Sequence, residues 1–162
     1  MQSILLITDG SPSGVLAEDA AVDLARRYEG RIRAVYILDQ SWQNLLGDEW
    51  MNTSETRMTF FRYLEDALYS RASEVLKCFT RKAEKAQVSC TAEVRVGKPD
   101  QVVIETAQEL TASLVVIPNP VGCAHPAAGG IRFLAGRIAK KISCPLLVGA
   151  PASPERWTRT SK

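Results

Sequence analysis

The chain lacks an excess of either charge, with 20 Lys and Arg against 18 Asp and Glu and a net charge of +2. That balance argues against a nucleic-acid or membrane-surface partner, which needs a basic face. Long hydrophobic runs are also missing. Met1 leads through Gln2 and Ser3 into only four consecutive apolar residues, Ile4 to Ile7, far short of a signal core or a spanning helix. A cytoplasmic protein is expected. Histidine is limited to His125, and the four cysteines, Cys78, Cys90, Cys123 and Cys144, contain no C-x-x-C pair. They read as reduced structural thiols, and Cys123 with His125 supplies two ligands where a structural zinc site wants four. No internal repeat and no linker composition interrupts the 162 residues. What remains is globular composition, 46% apolar and 23% charged, expected to form one domain over 1–150 with a loosely held tail over 151–162.

Periodicity then orders the elements. Ile4 to Ile7 suits a strand buried on both faces, and Thr8-Asp9-Gly10 forms the turn after it. Ser11-Pro12 supplies a cap and a first-turn proline, with Leu16, Ala20 and Leu24 at helical spacing beside Ala17, Ala21 and Ala25, up to a stop near Glu29-Gly30. Ile32 to Leu38 gives a second strand, ending at Asp39. Gln40 to Met51 has no period, and its Trp42, Leu45 and Trp50 suit a loop that contacts a partner or covers the cleft. Phe61, Leu64, Leu68, Ala72, Val75, Leu76 and Phe79 mark a long helix from Thr53 to about Ala86, with a break allowed near Tyr69-Ser70. Val88 to Val96 alternates as an edge strand, Val102 to Leu110 is helical, and Leu114 to Ile117 is a central strand. A Gly- and Pro-rich loop over 118–130, a short helix over 131–141 and a strand from Pro145 to Val148 complete the series.

Strict alternation of strands and helices predicts an α/β fold: an open five-stranded parallel sheet, order 3-2-1-4-5, with helices on both faces. The order reverses between strands one and four, and ligands bind at the carboxyl ends of strands flanking such a point. Thr8 to Gly10 and the segment from Pro118 to Gly136 lie there.

Three segments together, Ile4-Leu5-Leu6-Ile7-Thr8-Asp9-Gly10-Ser11, Val96-Gly97-Lys98-Pro99 and Cys144-Pro145-Leu146-Leu147-Val148, resemble the universal stress protein family. The resemblance implies a Rossmann-like domain, usually a homodimer, in which a subset of members binds ATP or AMP, and it does not imply catalysis. It places base contacts on Asp9 and Ile37. The candidate ligand set is Thr8, Asp9, Ile37, Ile117, Pro118, Gly130, Gly136, Arg137 and Ile138.

Phosphate binding in that subset uses Gly-x-x-Gly, nine residues, then Gly-Ser or Gly-Thr, because glycines let backbone donors approach closely. Here Pro118 and Val121 occupy the paired glycine positions, fourteen residues separate Val121 from Gly136, and Arg137 replaces the hydroxyl. Pro118 and Pro120 have no N–H to donate. Two alternatives therefore stand for the loop: Gly129-Gly130 with Arg132 and Arg137 as an anion nest, or a flexible loop with solvated cations. Two also stand for Asp9, a base contact or a turn-and-cap residue. No nucleophile, base or metal set is assignable, so no enzymatic activity is expected and ATP or AMP is only a candidate ligand. The last strand is an edge in this topology, and Pro145, Leu146, Leu147 and Val148 are expected to pair with a second copy, as the family does; protein partners are a further expectation.

Overall fold

A computed structural model describes residues 2–39, 54–119 and 135–151. In chain order the elements are β1 (Ser3–Ile7), α1 (Pro12–Arg27), β2 (Arg31–Asp39), α2 (Ser54–Lys85), β3 (Cys90–Gly97), α3 (Pro99–Leu110), β4 (Leu114–Ile117), α4 (Ala135–Ala139) and β5 (Leu146–Val148). The five strands are parallel, in the order β3-β2-β1-β4-β5. β1 is buried at every position because both faces of the sheet are covered, which is why its sequence is a run and not an alternation. Ile4 and Leu6 pack with Ala34, Tyr36 and Val116 under α1 and α2. Leu5 and Ile7 pack with Val35, Ile37, Val115 and Ile117 under α3 and α4.

Several boundaries and faces differ from the sequence expectation. Leu16 is 41% exposed, whereas Ala17 and Ala21 are fully buried and Ala25 nearly so. Small side chains let α1 lie close on the sheet, and a leucine there would hold the helix off. The left-handed residue after α1 is Glu29, at φ 48°, and not Gly30. Gly30 is needed for closeness instead, since a Cβ on it would meet the Gln2 carbonyl at 3.0 Å. α2 runs unbroken through Tyr69-Ser70. Its buried residues, Ala72, Leu76, Phe79 and Ala83, lie in the second half, while Phe61, Leu64 and Leu68 are half-buried. β3 begins at Cys90 because Val88 belongs to the turn that ends α2: Gln87 is left-handed, and the Val88 N–H donates to Ala83 at 2.9 Å. The Gln40 to Met51 loop and residues 131–134 of the expected last helix lie outside the described residues, as does most of the expected tail.

One polar cluster joins three elements. Glu18 of α1 is 5% exposed; its Oε1 accepts from the Thr8 hydroxyl at 2.6 Å and its Oε2 accepts from Lys82 Nζ of α2 at 2.8 Å. Lys82 also donates to Asp19 at 3.0 Å. Burial alone would lower the Lys82 pKa, but hydrogen bonds and charge from Glu18 and Asp19 outweigh it and leave it raised. Removing the ammonium strands a buried carboxylate; replacing Glu18 by an amide keeps an acceptor for Thr8 and leaves Lys82 its Asp19 partner. Lys82→Met is therefore expected to cost about 3 kcal/mol and Glu18→Gln about 1 kcal/mol in urea denaturation. The reverse order would show that the Glu18 charge is not what Lys82 compensates.

Candidate functional site

β1 ends level with β4, whereas β2 runs four residues past the Ile7–Val35 pair to Asp39, and the turn after β1 faces the crevice at the reversal of strand order. The Thr8 N–H donates to the Val35 carbonyl at 3.1 Å, and Asp9, with no exposed surface, turns its carboxylate toward the start of α1. Asp9 Oδ1 accepts from the Ser11 N–H at 2.9 Å and from the Ser11 hydroxyl. Ser11 Oγ in turn accepts from the Gly14 N–H at 3.0 Å, capping α1. A Cβ on Gly14 would sit 2.5 Å from Asp9 Oδ1, so this carboxylate orientation requires glycine at that position. Gly10 is left-handed, at φ 71°, and a Cβ there would lie 2.6 Å from Val75 Cγ2. α2 thus packs directly over the turn.

The opposing wall follows β4. Ile117 and Pro118 are buried, and Asn119 ties three segments together. Its side-chain amide donates to the Gly149 carbonyl at 3.0 Å, and its own carbonyl accepts from the Ser13 hydroxyl at 3.3 Å. The Gly149 N–H donates to Ile117 at 2.8 Å. The end of β5, the loop after β4 and the first turn of α1 are joined by direct protein hydrogen bonds.

A third wall comes from α2. The Tyr36 hydroxyl, on a residue only 3% exposed, is hydrogen-bonded by Arg71. Burial pushes the Tyr36 phenol above its ordinary value, the Arg71 hydrogen bond and charge pull it back, and the negative charge of Asp9 adds to the rise.

The match to the universal stress protein family model spans residues 1–148. The chain belongs to that family. A universal stress protein of Methanocaldococcus jannaschii is 26% identical over 149 residues, 91% of this chain and 81% of that protein. The solved universal stress protein UspA of Lactobacillus plantarum superposes with a TM-score of 0.69 at 20% identity, covering 92% of this chain and 97% of the other. A family member from Arabidopsis thaliana, solved with AMP bound, gives 0.61 at 14% identity and coverages of 91% and 90%. At these identities the solved structures establish the fold.

Within this universal stress protein fold, the residues singled out from sequence divide into three groups. Thr8, Asp9, Ile37, Ile117 and Pro118 lie at the carboxyl ends of β1, β2 and β4, all buried. Ile138 is buried on the same sheet face as Ile37 and Ile117. Gly136 is open: beyond its own turn, no atom of the described residues lies within 4 Å of a Cβ placed on it, and Arg137 has a side chain 62% exposed. The Arg137 guanidinium approaches Asp100 at 3.6 Å, on a groove of about 630 Å³ lined also by Lys98, Ile104, Glu105 and Lys141. Gly130 lies outside the described residues, together with Pro120, Val121, Cys123, His125, Gly129 and Arg132. Sequence reasoning missed Ser13, Glu18, Tyr36, Arg71, Lys82 and Asn119. Only Glu18 left a usable signal, as an acid inside the alanine stripe of α1.

Because Tyr36 releases its proton less readily when folded, its contribution to stability is complete below the unfolded phenol value near 10.0 and is lost as pH rises through the higher folded value. Tyr36→Phe is expected to flatten the fall in stability as pH rises above about 10. Urea midpoints with the same alkaline slope in both proteins would contradict the assignment.

Proposed function

We propose that this universal stress protein is a non-enzymatic, cytoplasmic, dimeric stress-response protein that acts through protein partners and whose nucleotide cleft is degenerate. The observation that supports this reading is that Asp9, the residue the family resemblance gives to the base, is engaged by the chain's own groups. Asp9 is buried and its Oδ1 already receives two hydrogen bonds from Ser11. Ile37 and Ile117, at 1% and 0% exposure, are core residues. On the phosphate side, Pro118 has no N–H, and Arg137 turns to Asp100. A buried Asp9 already serving as a turn acceptor is also poorly suited to act as a base.

A second reading, an AMP- or ATP-binding regulator, is favoured by the AMP found in the Arabidopsis relative and by the open backbone at Gly136. In it the segment with Gly129, Gly130, Gly136 and Arg137 holds the phosphates. The two readings separate in a thermal-shift series. A ligand at a hundred times its Kd adds about 2.7 kcal/mol, roughly 5–10 °C for a chain of this size. The first reading expects under about 1 °C with millimolar AMP or ATP on that same scale. A full shift that Asp9→Ala abolishes selects the second.

The dimer is assigned to the β5 edge. Pro145 O and Gly149 N bond to β4, so the backbone groups of Leu146 and Val148 face away from it by strand alternation. Two copies would satisfy those groups by pairing edge to edge. Val148→Pro removes an outward N–H without touching the β4 ladder, and is expected to give a monomer by light scattering at tens of micromolar, where the parent is dimeric. A variant that remains fully dimeric would eliminate edge pairing.

A further inference from the structure

β3 is an end strand of the sheet, on the edge opposite β5. It keeps register with β2 at every residue from Cys90 to Gly97, so no bulge turns its open side away, and no proline interrupts it. The Ile32 N–H donates to the Ser89 carbonyl at 2.9 Å, which fixes the parity of the ladder. Thr91, Glu93 and Arg95 therefore turn their backbone groups to β2, and Ala92, Val94 and Val96 turn theirs to the open edge. Side chains alternate between the two faces of the strand. Val94 packs against the core cluster under α2, and Ala92 and Val96 share that face. Glu93 and Arg95 take the other, where Arg95 also reaches Glu109 of α3 at 2.7 Å.

We propose that β3 pairs antiparallel with β3 of a second copy of this chain, about a two-fold axis through Val94. Charge selects this register. A two-fold at Glu93 sets two carboxylates against each other, and one at Arg95 sets two guanidinium groups, whereas one at Val94 places Glu93 of each copy opposite Arg95 of the other. Val94 then exchanges backbone hydrogen bonds with its own counterpart, and Ala92 with Val96 of the second copy. Val96 is 43% exposed in the single chain, and Ala92 lines an open groove of about 500 Å³ beside Leu76, Thr80 and Val94. A small side chain on one copy thus faces a large exposed one on the other. Glu93 already holds Arg95 at 2.9 Å and Arg33 at 3.4 Å, all half-buried, so a second copy extends a charge network and strands no ion. A single strand pair belongs to the small, transient class of interfaces. It adds to pairing at the β5 edge and does not compete with it, since the two edges lie on opposite sides of the sheet.

Disulfide trapping of the full chain under a mild oxidant tests the idea, read on a denaturing, non-reducing gel on which non-covalent pairing at β5 leaves no trace. Residues paired at the two-fold lie within the roughly 4.4–6.8 Å Cα separation that a disulfide spans. Ala92 and its own counterpart are displaced by about 13 Å along the strands. Val94→Cys is therefore expected to give covalent dimer several-fold above the parent with its native cysteines, and Ala92→Cys no more than the parent. Exposure alone predicts the reverse order, because position 92 is exposed and position 94 half-buried. Equal trapping at the two positions, more at 92, or none at 94 overturns the proposal. Val94→Cys combined with Arg95→Glu opposes carboxylates across the axis and is expected to lose most of the trapped dimer. An undiminished yield overturns the proposal as well. If Val94→Cys does not fold, as judged by circular dichroism, a mixture of Ala92→Cys and Val96→Cys decides. A mixed disulfide that neither variant forms alone supports the pairing, and its absence overturns it.

Discussion

The contact on which the site depends is the buried carboxylate of Glu18, held between the Thr8 hydroxyl and the Lys82 ammonium. A carboxylate so buried is tolerable only when paired and hydrogen-bonded, so α2 is constrained to deliver Lys82 at one place on the flank of α1. That requirement fixes the rotation of α2 about its axis. Val75 lies seven residues before Lys82 and Arg71 eleven before, both close to whole numbers of turns, so both side chains come to the same flank. Val75 therefore meets Gly10, and Arg71 reaches Tyr36. A partly buried ion pair thus sets the register in which α2 meets the turn after β1.

The same economy governs the turn after β1. Asp9 Oδ1, which the family resemblance would offer to a base, accepts instead from the Ser11 N–H and hydroxyl, and the Ser11 cap depends on that arrangement. A ligand taking over Asp9 must compete with hydrogen bonds that are already made, so its net gain is the difference between two sets of polar contacts. Asn119 does for the opposite wall what Asp9 does for this one, by joining α1 and the end of β5 through groups that would otherwise face the crevice. Stability of the domain and openness of the site draw on the same few donors and acceptors.

Much of the fold was readable because its signals are local. Ile4 to Ile7 and Leu114 to Ile117 lie in runs that only a doubly covered strand accommodates, and Ser11-Pro12 caps a helix by chemistry confined to four residues. The misreadings come where a neighbour overrides the local preference. Leucine at position 16 looks like core and alanine at 17 like filler, until the sheet requires a helix close enough that only alanine fits. Val88 continues a perfect alternation, yet the left-handed Gln87 turns it into the end of α2. Glu29 takes the strained conformation beside a glycine that is reserved for closeness to Gln2.

By itself the sequence determined the strand order, the position of the switch point and the identity of Thr8, Asp9, Ile37, Ile117 and Pro118 as the residues around it, since each follows from hydrophobic periodicity, turn chemistry or a family pattern. Only the tertiary structure decided what those residues do there. Tyr36 with Arg71, Glu18 with Lys82 and Ser13 with Asn119 are separated by 35, 64 and 106 residues in the chain, and no spacing rule links positions so far apart. Their pairing follows from the requirement that every buried polar group find a partner once the helices have closed on the sheet. Which partner is nearest is settled by packing.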